Sequence, residues 1–282
     1  MTRPGSELSR LSRRRFLALG SFGLPMSAGV IRAAAAGPAT AAAADAFPAH
    51  PPDLVREIVT VAHFNLARVR EIVEARPSLA RAAWDWGFGD WETALGAASH
   101  VGNRPIAEYL IEKGARPSLF SATMLGQLDV VKAFIAAQPG VQRIPGPHSI
   151  GLLAHAKAGG AQAVPVLRYL ESLGDADAPP TAPLSADDMG LLTGTYVYGS
   201  GQTERVEISI DRGALMFTRM GTTPRGLRHL GDRVFHPAGA AAVRIRFAAS
   251  DGGALGAPGA LGTMTLTVHD PDLVITATRQ RA

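Results

Sequence analysis

Two hydrophobic periods divide this chain. Between Asp45 and Asp177 apolar residues recur three and four positions apart, the spacing of one buried helix face; from Leu191 onward they alternate with polar residues, as in half-buried antiparallel strands. The clearest helical unit runs from Glu92 to Ala115. Thr93 predicts an N-cap, and Leu95, Ala98 and Val101 fall on one face of the helix it starts. Gly102 can take the left-handed conformation that stops that helix. Asn103 then caps a second helix, Pro105 sits in its first turn, and Ile106, Leu110 and Ile111 form its apolar stripe before Gly114.

The unit recurs. Leu119, Ala122, Gly126, Val130, Phe134 and Ile135 repeat the spacing ahead of Pro139-Gly140. Leu153, Ala156, Gly160, Tyr169, Leu170 and Gly174 repeat it again, with about two extra residues between the helices. A degenerate earlier copy reads through Ala62, Val69, Ile72, Val73 and Pro77, with Asn65 in place of the glycine. Thr93, Leu95, Ala98, Gly102, Ile106, Leu110, Gly114 and Ala115 stand where ankyrin repeats have them, so the segment resembles that family, although Ala94 and Gly96 depart from it. Gly102 and Gly126 are only 24 residues apart, against about 33 for an ankyrin unit. The resemblance implies a stack of about four helix pairs that binds another protein; an unrelated helical bundle is the alternative.

The period-two half offers Gly194–Tyr198, Val206–Ile210, Leu215–Thr218, Leu227–His229, Val234–His236, Val243–Phe247, Met264–Val268 and Val274–Thr278. About eight antiparallel strands suit a small closed barrel, with a two-sheet sandwich as the alternative. The opening Leu192-Thr193-Gly194-Thr195-Tyr196 and the last strand ending in Arg279 resemble the lipocalin-like β modules of some exported hydrolases. That likeness implies a possible small apolar ligand, with Tyr196, Arg244, Arg246 and His269 as candidate lining.

The N-terminus changes the charge picture. Ser12-Arg13-Arg14-Arg15-Phe16-Leu17 before a moderately apolar run resembles a twin-arginine export signal, and Ala33–Ala44 offers cleavage sites. Six of the 28 basic and one of the 24 acidic residues precede Asp45, leaving 22 against 23. The basic excess therefore belongs to the signal and argues against nucleic-acid binding. The apolar run is short for a membrane span, so no stable span is expected after cleavage. The absence of cysteine excludes disulfides, thiolate metal sites and cysteine nucleophiles.

The expected organisation is an α+β chain: an export signal over residues 1–44, an ankyrin-like domain over 45–177, a Pro-rich linker over 178–190 in which Ser185 can start a helical turn, and a β-barrel over 191–282. No Gly-x-Ser-x-Gly, Ser-x-x-Lys or His-Glu-x-x-His motif follows the signal. The eight histidines are dispersed; His148 and His155 come nearest to a constellation, and His229 and His236 bracket a hairpin. No catalytic residue, metal site or cofactor is assigned.

One stretch stands out. All three tryptophans lie within Trp84–Trp91, beside Asp85, Asp90 and Glu92, immediately before the best repeat. Asp85, Asp90 and Glu92 could supply oxygen ligands to a hard cation, but their spacing matches no calcium loop, and they read as solvated groups favoured by the positive end of the Thr93 helix. The tryptophans read as braces for the stack or as anchors for a protein partner, with Trp84, Asp85, Trp86, Phe88, Asp90 and Trp91 as the binding patch. The chain is thus expected to be a periplasmic, non-enzymatic interaction protein; a small-molecule-binding or weakly hydrolytic barrel docked by the repeats is the alternative.

Overall fold

A computed structural model describes residues 49–176, 181–249, 264–271 and 273–280. The segment read as an export signal lies outside the described residues, as do linker positions 178–180. The described chain is α+β: paired helices first, then a closed eight-stranded antiparallel barrel.

Eight of the helices form four pairs joined by short turns. These are α1 (Pro52–Val61) with α2 (Leu66–Ala75), α3 (Ala94–His100) with α4 (Arg104–Glu112), α5 (Leu119–Met124) with α6 (Leu128–Ala137), and α7 (Leu152–Ala158) with α8 (Val164–Leu173). The first helices pack in a row, α1 on α3, α3 on α5 and α5 on α7. Ile58, Val69, Ile72, Leu95, Ile106 and Leu110 fill the core of the first two pairs, and Val131, Leu152, Val166 and Leu170 that of the last two.

The caps follow the sequence. Thr93 Oγ1 accepts the Gly96 amide at 2.9 Å, and Asn103 Oδ1 accepts that of Ile106. Gly102 has φ +75°, and a side chain there would run into the carbonyl of Ala158, so this glycine both ends α3 and lets the last helix pair approach. Two expectations are corrected. Asn65 caps α2 by accepting the Arg68 amide, so it is the counterpart of Asn103 and not of the helix-stopping glycine. Val101 belongs to no buried face; it is the C-cap of α3 and exposed.

Between α2 and α3 the tryptophan stretch forms a hairpin that the sequence reading did not foresee. Strands β1 (Ala83–Asp85) and β2 (Trp91–Thr93) pair antiparallel, with Trp84 opposite Glu92 and Asp85 opposite Trp91. Its turn carries Gly87, Phe88 and Gly89 at positive φ.

Helix α9 (Ala186–Leu192), capped by Ser185, leads into the barrel. Its strands are β3 (Gly194–Val197), β4 (Arg205–Asp211), β5 (Ala214–Arg219), β6 (Arg225–Gly231), β7 (Val234–Pro237), β8 (Arg244–Ala249), β9 (Met264–Asp270) and β10 (Leu273–Arg279). Each pairs with the next, and β10 returns to β3, which rules out the sandwich. The inward positions, among them Tyr196, Ile208, Phe217, Phe235, Phe247 and Leu266, pack on one another as an apolar core. No helix among the described residues is long and apolar enough to cross a membrane.

Candidate metal centre

The short strand β2 sets the chemistry. Its side chains alternate, so Trp91 points out, 62% exposed, while Glu92 points in and is completely buried. Three histidines from three other places surround that carboxylate. His63 follows α1, His100 is the last residue of α3, and His148 lies in the 3-10 turn Pro147–Ser149 before α7.

The geometry is tight. Glu92 Oε1 is 3.1 Å from His100 Nδ1; Glu92 Oε2 is 3.3 Å from His148 Nε2 and 3.7 Å from His63 Nε2. One ligand atom from each of the four residues lies within 4.8 Å of all the others. Donors around a single first-row ion at about 2.1 Å stand roughly 3–4 Å apart, so small side-chain rotations would bring this cluster onto one cation.

The surrounding groups aim these donors. His63 Nδ1 lies 2.9 Å from the Thr60 carbonyl and 3.1 Å from that of Val59, which can only accept, so Nδ1 carries the proton and Nε2 offers its lone pair to the cluster. His148 Nδ1 is 2.7 Å from Asp90 Oδ2, and the His148 amide donates to Asp90 Oδ1 at 2.9 Å. That double hold keeps His148 at φ +57°, a left-handed conformation that needs local support. Trp86 Nε1 donates to Glu92 Oε2 at 2.8 Å.

Asp90 in turn is held by the barrel. Arg225 Nη1, from β6, is 3.3 Å from Asp90 Oδ2 and donates to the Ala238 carbonyl. Gly239 packs against the Asp90 carboxylate, and its amide donates to Ser149 Oγ at 2.7 Å. Helical stack, hairpin and barrel thus meet at one carboxylate.

Electrostatics and hydrogen bonding both bear on the site. Burial disfavours the charged Glu92 carboxylate, yet the adjoining His100 and His148 rings outweigh it and bring the group down to about 2. Burial likewise opposes protonation of His148, but Asp90 and Glu92 prevail and raise it to about 9. Glu92 Oε1 and His100 Nδ1, though 3.1 Å apart, are off the line a hydrogen bond needs, and both are buried with no hydrogen-bond partner among the described residues. A cation between them would satisfy both.

Once an ion displaced the proton His148 holds toward Glu92, three nitrogen donors and one carboxylate would suit a divalent first-row transition ion. The site opens on one side. A cleft of about 270 Å³ is lined by Arg56, Thr60, His63, Trp86, His148, Thr223, Pro224 and Arg225, so His63 and His148 are shared between cluster and cleft.

Several expected site residues are placed elsewhere. Asp90 and Glu92 are buried and not solvated. Asp85 is half-buried and accepts the Gly87 amide, bracing the hairpin turn. Trp84 and Trp86 pack on the helical core, Phe88 packs on barrel residue Phe217, and Trp91 is the exposed member of the patch. The barrel set does not converge: Tyr196 is buried in the core, whereas Arg244, Arg246 and His269 alternate with inward residues and face outward. His229 stands opposite Phe235, not His236, and stacks on it. His155 is buried against Phe120 and donates to the Gly151 carbonyl, outside the cluster.

His63, His100 and Arg225 were not singled out from sequence. One signal was present: both histidines sit at the C-terminal end of the first helix of successive pairs, and the row of first helices brings their rings to 4.8 Å.

No protein-family model and no curated protein sequence matches the chain. A solved structure, a crystal structure of SurE with D-Leu, aligns at 22% identity over 44% of this chain and 28% of that one, with a TM-score of 0.19. The chain therefore spans less than a third of that protein's length, and a likeness so slight bears on neither fold nor function.

Proposed function

We propose that this protein is metal-dependent: His63, Glu92, His100 and His148 hold one divalent first-row transition ion, which acts as a Lewis acid on a small molecule in the adjoining cleft. The observation that carries this reading is the buried Glu92 carboxylate ringed by three imidazoles, one ligand atom from each of the four residues lying within 4.8 Å of all the others. His63 and His148 bound both the cluster and the cleft, which leaves a coordination position facing the space a substrate would enter. The second layer of contacts, Asp90 on His148 and backbone carbonyls on His63, is what metal-binding histidines require.

Calorimetric titration of the chelator-treated protein with Zn²⁺ tests it. One equivalent is expected to bind, with affinity reduced at least tenfold in Glu92→Gln and in His100→Ala. At a free ion concentration 100 times Kd the ion adds about 2.7 kcal/mol of stability, which raises the melting temperature by roughly 5–10 °C. Binding below a tenth of an equivalent, or unaffected by both substitutions, overturns the reading.

A second reading rests on Trp91, an indole left 62% exposed beside the site. The four helix pairs support an ankyrin-like stack, and Trp91 would anchor a protein partner on it. In this reading the chain is exported by the twin-arginine route and works in the periplasm. Loss of partner capture in Trp91→Ala, with metal binding retained, is the outcome it requires.

A further inference from the structure

The cleft beside the cluster has a chemistry of its own. Arg56, on the exposed side of α1, reaches its rim and makes no ion pair among the described residues. Thr60, one turn further along α1, and Thr223, from the turn before β6, also line it. Trp86 and Pro224 supply apolar walls. Arg225 also lines the cleft, but its guanidinium is committed to Asp90 and the Ala238 carbonyl.

Charge decides what fits. A divalent ion against the single Glu92 carboxylate leaves net positive charge at the open position, since Asp90 is offset by Arg225. Arg56 adds a second positive charge at the mouth, and no acidic side chain among the described residues lines the cleft. An anion entering between them would have the planar guanidinium at the mouth and the metal inside, a pairing that carboxylates satisfy well. The volume, about 270 Å³, lies at or below the small end of ligand pockets, so the guest is a small molecule and not a polymer.

Resting on the metal reading above, we infer that the cleft binds a small organic carboxylate, one carboxylate oxygen on the metal's open position, Arg56 pairing with the anion, and an apolar body against Trp86 and Pro224. Phosphate is disfavoured because, among the described residues, Arg56 is the one uncommitted cation lining the cleft.

Cobalt substitution of the full chain provides the test, because the visible band of protein-bound Co²⁺ reports both the ion and any change in its coordination. Benzoate is expected to shift that band saturably, acetate more weakly, and benzamide not at all. Arg56→Ala is expected to weaken benzoate about tenfold, the loss of one charge-assisted contact, with the cobalt band itself unchanged. Arg56 is exposed and the Thr60 hydroxyl bonds only its backbone carbonyl, so the substitution leaves the fold intact. A cobalt band that no carboxylate perturbs, that inorganic phosphate perturbs at lower concentration than benzoate, or that responds equally in Arg56→Ala overturns this inference and leaves the metal reading standing. Failure of Co²⁺ to bind overturns both.

Discussion

At the scale of single residues, burial gives polar groups opposite fates in the two halves. Glu92 and Tyr196 are both fully buried, yet one is kept charged by its neighbours and the other neutral. The Tyr196 hydroxyl donates to the Leu192 carbonyl at 2.8 Å inside the barrel, and burial pushes it up to about 12 although Arg279 opposes the shift. An unfolded tyrosine ionises near 10. Below pH 10 the hydroxyl is neutral in both states and its stabilisation is complete. Between pH 10 and 12 only the unfolded chain ionises, and stability is lost as pH rises. Each pH unit in that window is worth about 1.4 kcal/mol, so about 3 kcal/mol disappears across it. Urea unfolding at pH 9 and pH 12 is expected to show that fall in the native chain and a correspondingly smaller one in Tyr196→Phe; equal falls in both would contradict the assignment. Tyr196 is visible in the sequence as a polar aromatic on a strand, but alternation alone cannot say whether a barrel end is open, which leaves it there as a candidate ligand contact. Glu92, weighed in the sequence as a hard-cation ligand, is set aside there as a solvated carboxylate for a related reason. Beside a helix start, an acidic residue is most simply a solvated charge, and only the hairpin register turns it inward.

Elements were the most legible level. Caps at Thr93, Asn103 and Ser185, left-handed glycines at Gly102, Gly126 and Gly174, and period-two runs in the C-terminal half each carry a local cause, and each forms the expected helix end or strand. The β1–β2 hairpin was not legible, because three-residue strands are too short for a period to register and its turn runs through Gly87, Phe88 and Gly89. A paired substitution separates the two jobs glycine does here. Gly114 has φ +92° with open space where a side chain would go, so Gly114→Ala carries backbone strain alone, about 1–2 kcal/mol. Gly102→Ala adds a collision with the Ala158 carbonyl of the last pair and is expected to cost at least about 1 kcal/mol more, read from chemical denaturation. Equal costs would mean that the pairs do not approach as closely as described.

At the scale of the molecule the site depends on separate parts of the chain. Glu92 comes from the hairpin, His63 and His100 from the ends of two first helices, His148 from the loop before α7, and the Arg225 that steadies Asp90 from β6. Motif searching fails on such a site because its members are joined by packing and not by spacing. Asp90 and His148 are 58 residues apart yet 2.7 Å from each other. The barrel, for which the sequence leaves open a ligand cavity or a solid core, has its interior occupied by side chains and buttresses the helical half: Arg225 steadies Asp90, and Gly239 holds the loop that presents His148.

The most direct test of that centre is a crystal structure of the cobalt-soaked protein with anomalous scattering recorded at the cobalt edge. One strong peak is expected, about 2.0–2.3 Å from His63 Nε2, His100 Nδ1, His148 Nε2 and a Glu92 oxygen, with a solvent ligand toward the Arg56 cleft. A map with no peak among these four residues under saturating Co²⁺, or a peak held by other side chains, would contradict the account.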